Sequence, residues 1–234
     1  ILPLATYQDK VTQVRWGISD FTNRFGHKPA GLWLPETAVD LETLEVLADH
    51  DIQFTILAPW QGESQGRGNV RYPFRVDLAG GRSIAVFFYN QDLSTRVSFD
   101  AAATTNADRF IDELVMPKFD HHDPMPEILM VASDGELYGH HQPFRDKFLA
   151  YLLNGAGPVE IEKTFPGLWL KRNPVTQTTT IHENTSWSCH HGIERWRNVC
   201  GDAPTATWKK PLREFMDALC STLDALFESS LQDL

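Results

Sequence analysis

Between residues 9 and 25, Val11, Val14, Ile18, Phe21 and Phe25 recur three and four positions apart, and Gly26 comes next. That spacing predicts an amphipathic helix with a glycine stop, because a period of 3.6 returns side chains to one face. Short apolar runs alternate with such stripes. Ile1 to Ala5 precedes the first helix, Ala30-Gly31-Leu32-Trp33-Leu34 sits between Pro29 and Pro35, and Phe54 to Ala58 ends at Pro59. Leu41, Leu44 and Leu47 mark a second helix over residues 40–49. The order is strand, helix, strand, helix, strand. Continuous apolarity within the strands implies burial on both faces.

Further along, Phe74 to Leu78 and Ile84 to Tyr89 flank Ala79-Gly80-Gly81-Arg82. This is a hairpin pattern, in which the glycine pair supplies the positive φ of a tight turn. Gly62 to Gly68 reads as a polar surface loop, residues 104–119 as a helix, Glu127 to Ala132 as a buried strand, and Phe144 to Leu153 as a helix ending at Asn154-Gly155. Residues 155–208 are irregular apart from a Thr-rich strand candidate at 176–182. An amphipathic helix through Leu212, Phe215, Met216, Leu219, Leu223 and Leu226 closes the chain. Strands alternating with helices predict an α/β fold, either an open doubly wound sheet or a barrel. About five strand candidates fall short of the eight of a complete barrel.

Composition narrows the function classes. The 234 residues suffice for a sizeable core, and 42% hydrophobic with 22% charged residues is ordinary for a globular chain. A formal charge of -10 repels phosphate backbones and anionic membrane surfaces, so no nucleic acid or membrane partner is expected. No apolar run reaches the roughly 20 residues that span a bilayer. Seven Trp suit core filling or stacking on flat, neutral ligands such as sugars. Cys189, Cys200 and Cys220 are odd in number and lack CxxC spacing, which argues against a disulfide framework or a zinc ribbon and for a reducing, cytoplasmic setting. The chain opens Ile1-Leu2-Pro3-Leu4, without initiator Met or signal-peptide pattern.

Working residues of parallel α/β folds lie at the carboxyl ends of strands. Glu36 comes after Leu32-Trp33-Leu34-Pro35, and Asp134 after Ile128 to Ala132. Each acid continues one face of its strand, so both can enter a common mouth. Such a pair is what glycosidic bond cleavage needs, although helix caps and surface sites also use carboxylates. Three histidine doublets, His121-His122, His140-His141 and His190-His191, are candidates for a metal site, Asp120-His121-His122-Asp123 above all. Neighbours on a strand point to opposite faces, so each doublet offers one ligand, and neither metal nor cofactor is expected. His140 and His141, just beyond Asp134-Gly135-Glu136, are placed to bond sugar hydroxyls or tune the carboxylate. The segment His182 to Trp196 is dense in polar groups and holds Trp187. Cys189 and His190 are unsuited to a nucleophilic pair, because such partners meet through the fold and not as neighbours.

Gly31-Leu32-Trp33-Leu34-Pro35-Glu36-Thr37-Ala38 resembles the nucleophile region of glycoside hydrolase family 57, and Ser133-Asp134-Gly135-Glu136-Leu137-Tyr138-Gly139-His140 resembles its acid/base region. Thr185-Ser186-Trp187-Ser188-Cys189 is similar to the downstream part of a poorly characterised branch of that family. The resemblance implies an incomplete (β/α)7-type barrel, retention of anomeric configuration, and α-glucan substrates handled by an amylase, glucanotransferase or branching type of reaction. Carried over by position, Glu36 is the nucleophile and Asp134 the acid/base, with Trp33, Tyr138, His140 and Trp187 lining sugar subsites. The family pattern begins with a His-bearing first strand that has no counterpart here. The expectation is a catalytic domain entered after its first strand, with residues 1–155 as barrel and 156–234 as barrel remainder and helical extension of the same domain, unclosed and of doubtful activity alone. A metal-dependent carbohydrate deacetylase and a non-catalytic carbohydrate-binding fragment are the alternatives.

Overall fold

A computed structural model describes residues 1–63, 70–120, 122–155, 157 and 161–232. Most of the polar stretch from Gly62 to Gly68, and His121 of the Asp120-His121-His122-Asp123 run, lie outside the described residues. Helix α1 (Tyr7–Phe25) starts at Thr6, whose hydroxyl accepts from the Asp9 N–H, and stops at Gly26 with φ 74°. Helix α2 (Leu41–Asp49) is capped by Asp40, whose carboxylate accepts from the Thr43 N–H. These side chains satisfy backbone donors that the first helical turn leaves orphaned.

Four strands make the sheet: β1 (Phe54–Leu57), β2 (Phe74–Asp77), β3 (Ser83–Phe88) and β4 (Gln177–Thr178), in the spatial order β1-β3-β2-β4. β1 runs parallel to β3, while β2 is antiparallel to β3 and parallel to β4. The hairpin turns through Gly80 and Gly81 at φ 71° and 76°, a region that residues with a Cβ enter only at a cost. The architecture is thus α/β, as the alternation predicts, with β2 and β4 running opposite to β1 and β3.

Two expected strands are not laddered, for identifiable reasons. Ile1 to Ala5 is instead a 3-10 turn over Leu2–Leu4, with Pro3 fixing φ in its first positions. Glu127 to Ala132 is extended, but its backbone bonds are scattered: Ile128 N–H to Arg71 O, Asn90 N–H to Met130 O, and Ala132 N–H to the Ser94 hydroxyl. Ala30 to Leu34 lies between these extremes, bridging parallel to Phe54 at Gly31.

The main core joins Val14, Leu34, Leu44, Leu47, Leu57, Phe74, Val86 and Phe88 from α1, the 31–34 segment, α2 and one face of the sheet, while Phe54, Ile56 and Phe87 pack on the other face. A second cluster packs α3 (Gln91–Phe99) and α4 (Ala107–Phe110) against α5 (Arg145–Asn154) through Leu93, Phe110 and Phe148. Two short helices come next, α6 (Pro166–Arg172) and α7 (Glu194–Arg197). Helix α8 (Lys209–Gln232) forms as its spacing predicts, yet its stripe of Phe215, Leu223, Leu226 and Phe227 is exposed. Its start is tied down, by Arg213 donating to the Leu4 carbonyl and Lys209 donating to that of Arg195. Among the described residues no helix is long and apolar enough to cross a membrane.

One charge is deep in this core. Lys10 is 1% exposed and bonds the Asp40 carboxylate at 2.9 Å and that of Glu42 at 2.7 Å. A buried ion that loses its partner keeps the desolvation cost without the attraction. Lys10→Ala is therefore expected to destabilise the fold by roughly 3 kcal/mol, measured as a lower urea midpoint at unchanged m-value. A loss below about 0.5 kcal/mol, the range of ordinary surface changes, would mean that Asp40 is hydrated without its lysine.

Candidate active site

Glu36 lies in a 3-10 turn (Pro35–Thr37) just after the Gly31–Leu34 segment, and both it and Thr37 have positive φ, 60° and 48°. For a β-branched residue such as Thr37 this backbone is strained by about 1–3 kcal/mol. Long-range bonds hold the turn. The Trp187 N–H donates to the Glu36 carbonyl at 3.1 Å, and the Val39 N–H to the Thr185 carbonyl at 3.0 Å.

Beneath the turn lies Gln61, fully buried. Its amide oxygen accepts from the Thr37 hydroxyl at 2.8 Å and the Ala58 N–H at 2.9 Å, and its NH₂ donates to the Thr37 carbonyl at 2.8 Å and the Thr185 hydroxyl at 3.3 Å. Its own carbonyl accepts from the His182 N–H at 2.8 Å. One residue therefore fastens the exit of β1, the Glu36 turn and the 182–187 segment.

That anchoring aims donors at the carboxylate. Glu36 Oε2 accepts from the Trp187 indole Nε1 at 3.1 Å and from the Ser188 hydroxyl at 2.5 Å. Bonds to a carboxylate acceptor are short and strong, and two of them on one oxygen fix the rotamer of the group. Oε1 has no hydrogen-bond partner among the described residues.

Glu36 and Asp134 line one open cleft of about 580 Å³, with Trp60, Tyr89, Ser94, His141, Trp187, Ser188 and Arg195. Asp134 is exposed and precedes a 3-10 turn (Gly135–Leu137). Other concavities, of about 470 and 690 Å³, contain neither acid. Aromatic rings surround the two carboxylates: Trp187 stands edge-on to Trp33 at 5.1 Å and to Tyr89 at 6.2 Å, and Trp60 to Tyr89 at 6.3 Å. Burial pushes the Tyr89 phenol up to about 12, which keeps it a neutral hydroxyl at ordinary pH.

The expected subsite residues divide. Trp187 is in the cleft and Trp33, 42% exposed, borders it through that ring contact. Tyr138 and His140 are not in its lining: the Tyr138 hydroxyl pairs with Ser133 at 2.9 Å and its ring packs on the second core cluster. His141 takes the place at the wall, with His140 edge-on to it at 4.8 Å. Trp60, Tyr89, Gln61 and Arg195 carry no acid or histidine signal of the kind that marks Glu36, Asp134 and His140. The first three lie within four residues of the ends of β1 and β3. Inspecting the residues beyond every strand, and not only beyond those ending in acids, finds them.

Two carboxylates that follow apolar segments beside the sheet thus share an open groove with indole rings in an α/β fold, an arrangement compatible with glycosidic bond cleavage. The model of glycosyl hydrolase family 57 matches residues 1–171, and the chain belongs to that family. No match is found among the curated proteins. Solved structures share the fold. An exo-type maltose-forming amylase from Pyrococcus sp. ST04 superposes with a TM-score of 0.71 at 15% identity, covering 86% of this chain and 38% of that one. A branching enzyme of the family from Pyrococcus horikoshii gives 0.67 at 19%, covering 82% and 47%. A 4-alpha-glucanotransferase from Thermococcus litoralis gives 0.59 at 16%, covering 85% and 29%. The chain thus spans less than half the length of these enzymes.

Gln61→Leu keeps the volume but orphans the Thr37, Ala58 and Thr185 groups in the interior. It is expected to cost roughly 2–4 kcal/mol in urea unfolding. A neutral result would show that water or rearranged neighbours satisfy those groups.

Proposed function

We propose that this chain carries the catalytic pair of a retaining glycoside hydrolase or transglycosylase acting on α-glucans. The observation that supports this most is the Glu36 carboxylate, clamped through Oε2 by Trp187 and Ser188 in the cleft that Asp134 also lines. A nucleophile must be ionised, oriented and accessible. Two donors on one oxygen orient the carboxylate and leave the other oxygen free to attack. Asp134, on the solvent side, is positioned to protonate the leaving glycosidic oxygen while Glu36 bonds the anomeric carbon. The same Asp134 carboxylate then removes a proton from water or from an acceptor sugar as the glycosyl–Glu36 ester breaks. Each half-reaction inverts the anomeric centre, so the product retains configuration.

The α-glucan class is supported by the activities named for the structural neighbours, a maltose-forming amylase, a branching enzyme and a glucanotransferase. Trp33 and Trp187 supply apolar faces against which pyranose rings stack, and Tyr89 and His141 supply groups that bond hydroxyls. Choice between hydrolysis and transfer rests on whether water or a sugar reaches the ester, because the first half-reaction is common to both.

Two substitutions separate the roles. Glu36→Gln is expected to lower turnover of maltooligosaccharides at least about a thousandfold with unchanged circular dichroism. Asp134→Asn should cost about 10²–10⁴-fold on the same substrates, yet far less on an aryl α-glucoside whose leaving group departs without a proton. Unchanged turnover in the first variant overturns the nucleophile, and equal losses on both substrates in the second overturn the acid.

A further inference from the structure

Cys189 and Cys200 are separated by ten residues, lack metal-binding spacing, and are both free and buried. The fold nevertheless brings them together with His191 and Asp202, and one ligand atom from each of the four lies within 4.8 Å of all the others. We propose that these residues form a structural site for zinc or a like divalent metal, which braces the segment that holds Glu36.

The cluster is two short turns facing each other, Cys189-His190-His191 and Cys200-Gly201-Asp202, each offering a thiol and a second donor two residues later. In the first turn the Gly192 N–H donates to the Cys189 carbonyl at 3.1 Å, and in the second the Ala203 N–H donates to that of Cys200 at 2.9 Å. The backbone N–H groups of Arg195 and His191 also bond Cys189 and hold it in place. Gly201 leaves room for the approach: a Cβ there would lie 2.8 Å from the His191 ring, so the imidazole sits directly over the second turn. His191 Nδ1 already stands 3.7 Å from Asp202.

Two sulfurs, an imidazole nitrogen and a carboxylate oxygen are a borderline-soft set that suits tetrahedral zinc. Bonds of about 2.3 Å to sulfur and 2.0 Å to nitrogen place such ligands about 3.3–3.8 Å apart, so the four atoms need only a small closure around the ion. Binding releases the two thiol protons to solvent. With four protein ligands no position is left for substrate, and the cluster is not among the residues lining the cleft, so the metal is structural. Its reach into the site is through the chain, since Ser188, which bonds Glu36, directly precedes Cys189, and Arg195 borders the cleft. The site stands on these four residues and does not depend on the catalytic assignment above.

The test is elemental analysis of the full chain purified under reducing conditions, followed by titration of the metal-free protein with Co²⁺. About one zinc per chain is expected, and one equivalent of Co²⁺ should give the thiolate charge-transfer and tetrahedral d–d bands. In Cys189→Ser/Cys200→Ser the metal content should fall at least about tenfold. Cys220→Ser should keep it, and His191→Cys should keep binding with a stronger charge-transfer band. Absence of these bands from wild-type protein, metal content equal in wild type and double variant, or a Cys189–Cys200 disulfide that takes up no Co²⁺ after reduction would each overturn the proposal.

Discussion

Gln61 is the interaction on which the cleft depends. A buried primary amide has two donors and two acceptor sites, and here all are used, by three segments far apart in sequence. Satisfying a polar hub inside a core specifies geometry more sharply than apolar packing, because any displacement leaves a desolvated group unpaired. The strained Glu36–Thr37 turn is held by this hub. Its own local bonds run only from the Thr37 N–H to the Leu34 carbonyl and from the Ala38 N–H to that of Pro35. The positive φ of Glu36 turns the chain out of the strand direction, and its carboxylate meets Trp187 and Ser188. Strain, hub and clamp are one construction.

The same logic extends outward along the chain. Residues 182–202 bury Cys189, Ile193 and Cys200 and are otherwise held by polar contacts. Gln61 fixes one end, the Ser186 hydroxyl closes the loop on the Gly192 carbonyl at 2.6 Å, and the paired Cys turns stand at the other end. A segment without regular secondary structure over most of its length gains from cross-links that present Trp187 and Ser188 at fixed positions. A metal is one such cross-link, placed where the backbone is otherwise irregular.

Local signals are the legible ones. The α1 and α2 stripes come with a glycine stop and an aspartate cap, and both helices form where the pattern puts them. The Gly80-Gly81 hairpin and the two acids after apolar runs are equally readable, since each depends on a few contiguous residues. Features that depend on pairing between distant segments are hidden. Gln61 meets Thr185, 124 positions further along, and no spacing rule connects Cys189 to Cys200. Apolar runs read as strands wherever they occur, but Ile1 to Ala5 has no partner edge and carries Pro3. The α8 stripe shows the converse: periodicity predicts the helix correctly and says nothing of whether its apolar face finds a core.

The central claim is that the clamped Glu36 is the group that becomes covalently attached to sugar. Incubation with a 5-fluoro-α-glucosyl fluoride, which forms the glycosyl ester faster than water removes it, followed by proteolysis and mass spectrometry, tests this most directly. The label is expected on the peptide containing Glu36, and to be absent in Glu36→Gln. Label on a peptide bearing another carboxylate, or unchanged labelling in that variant, contradicts it.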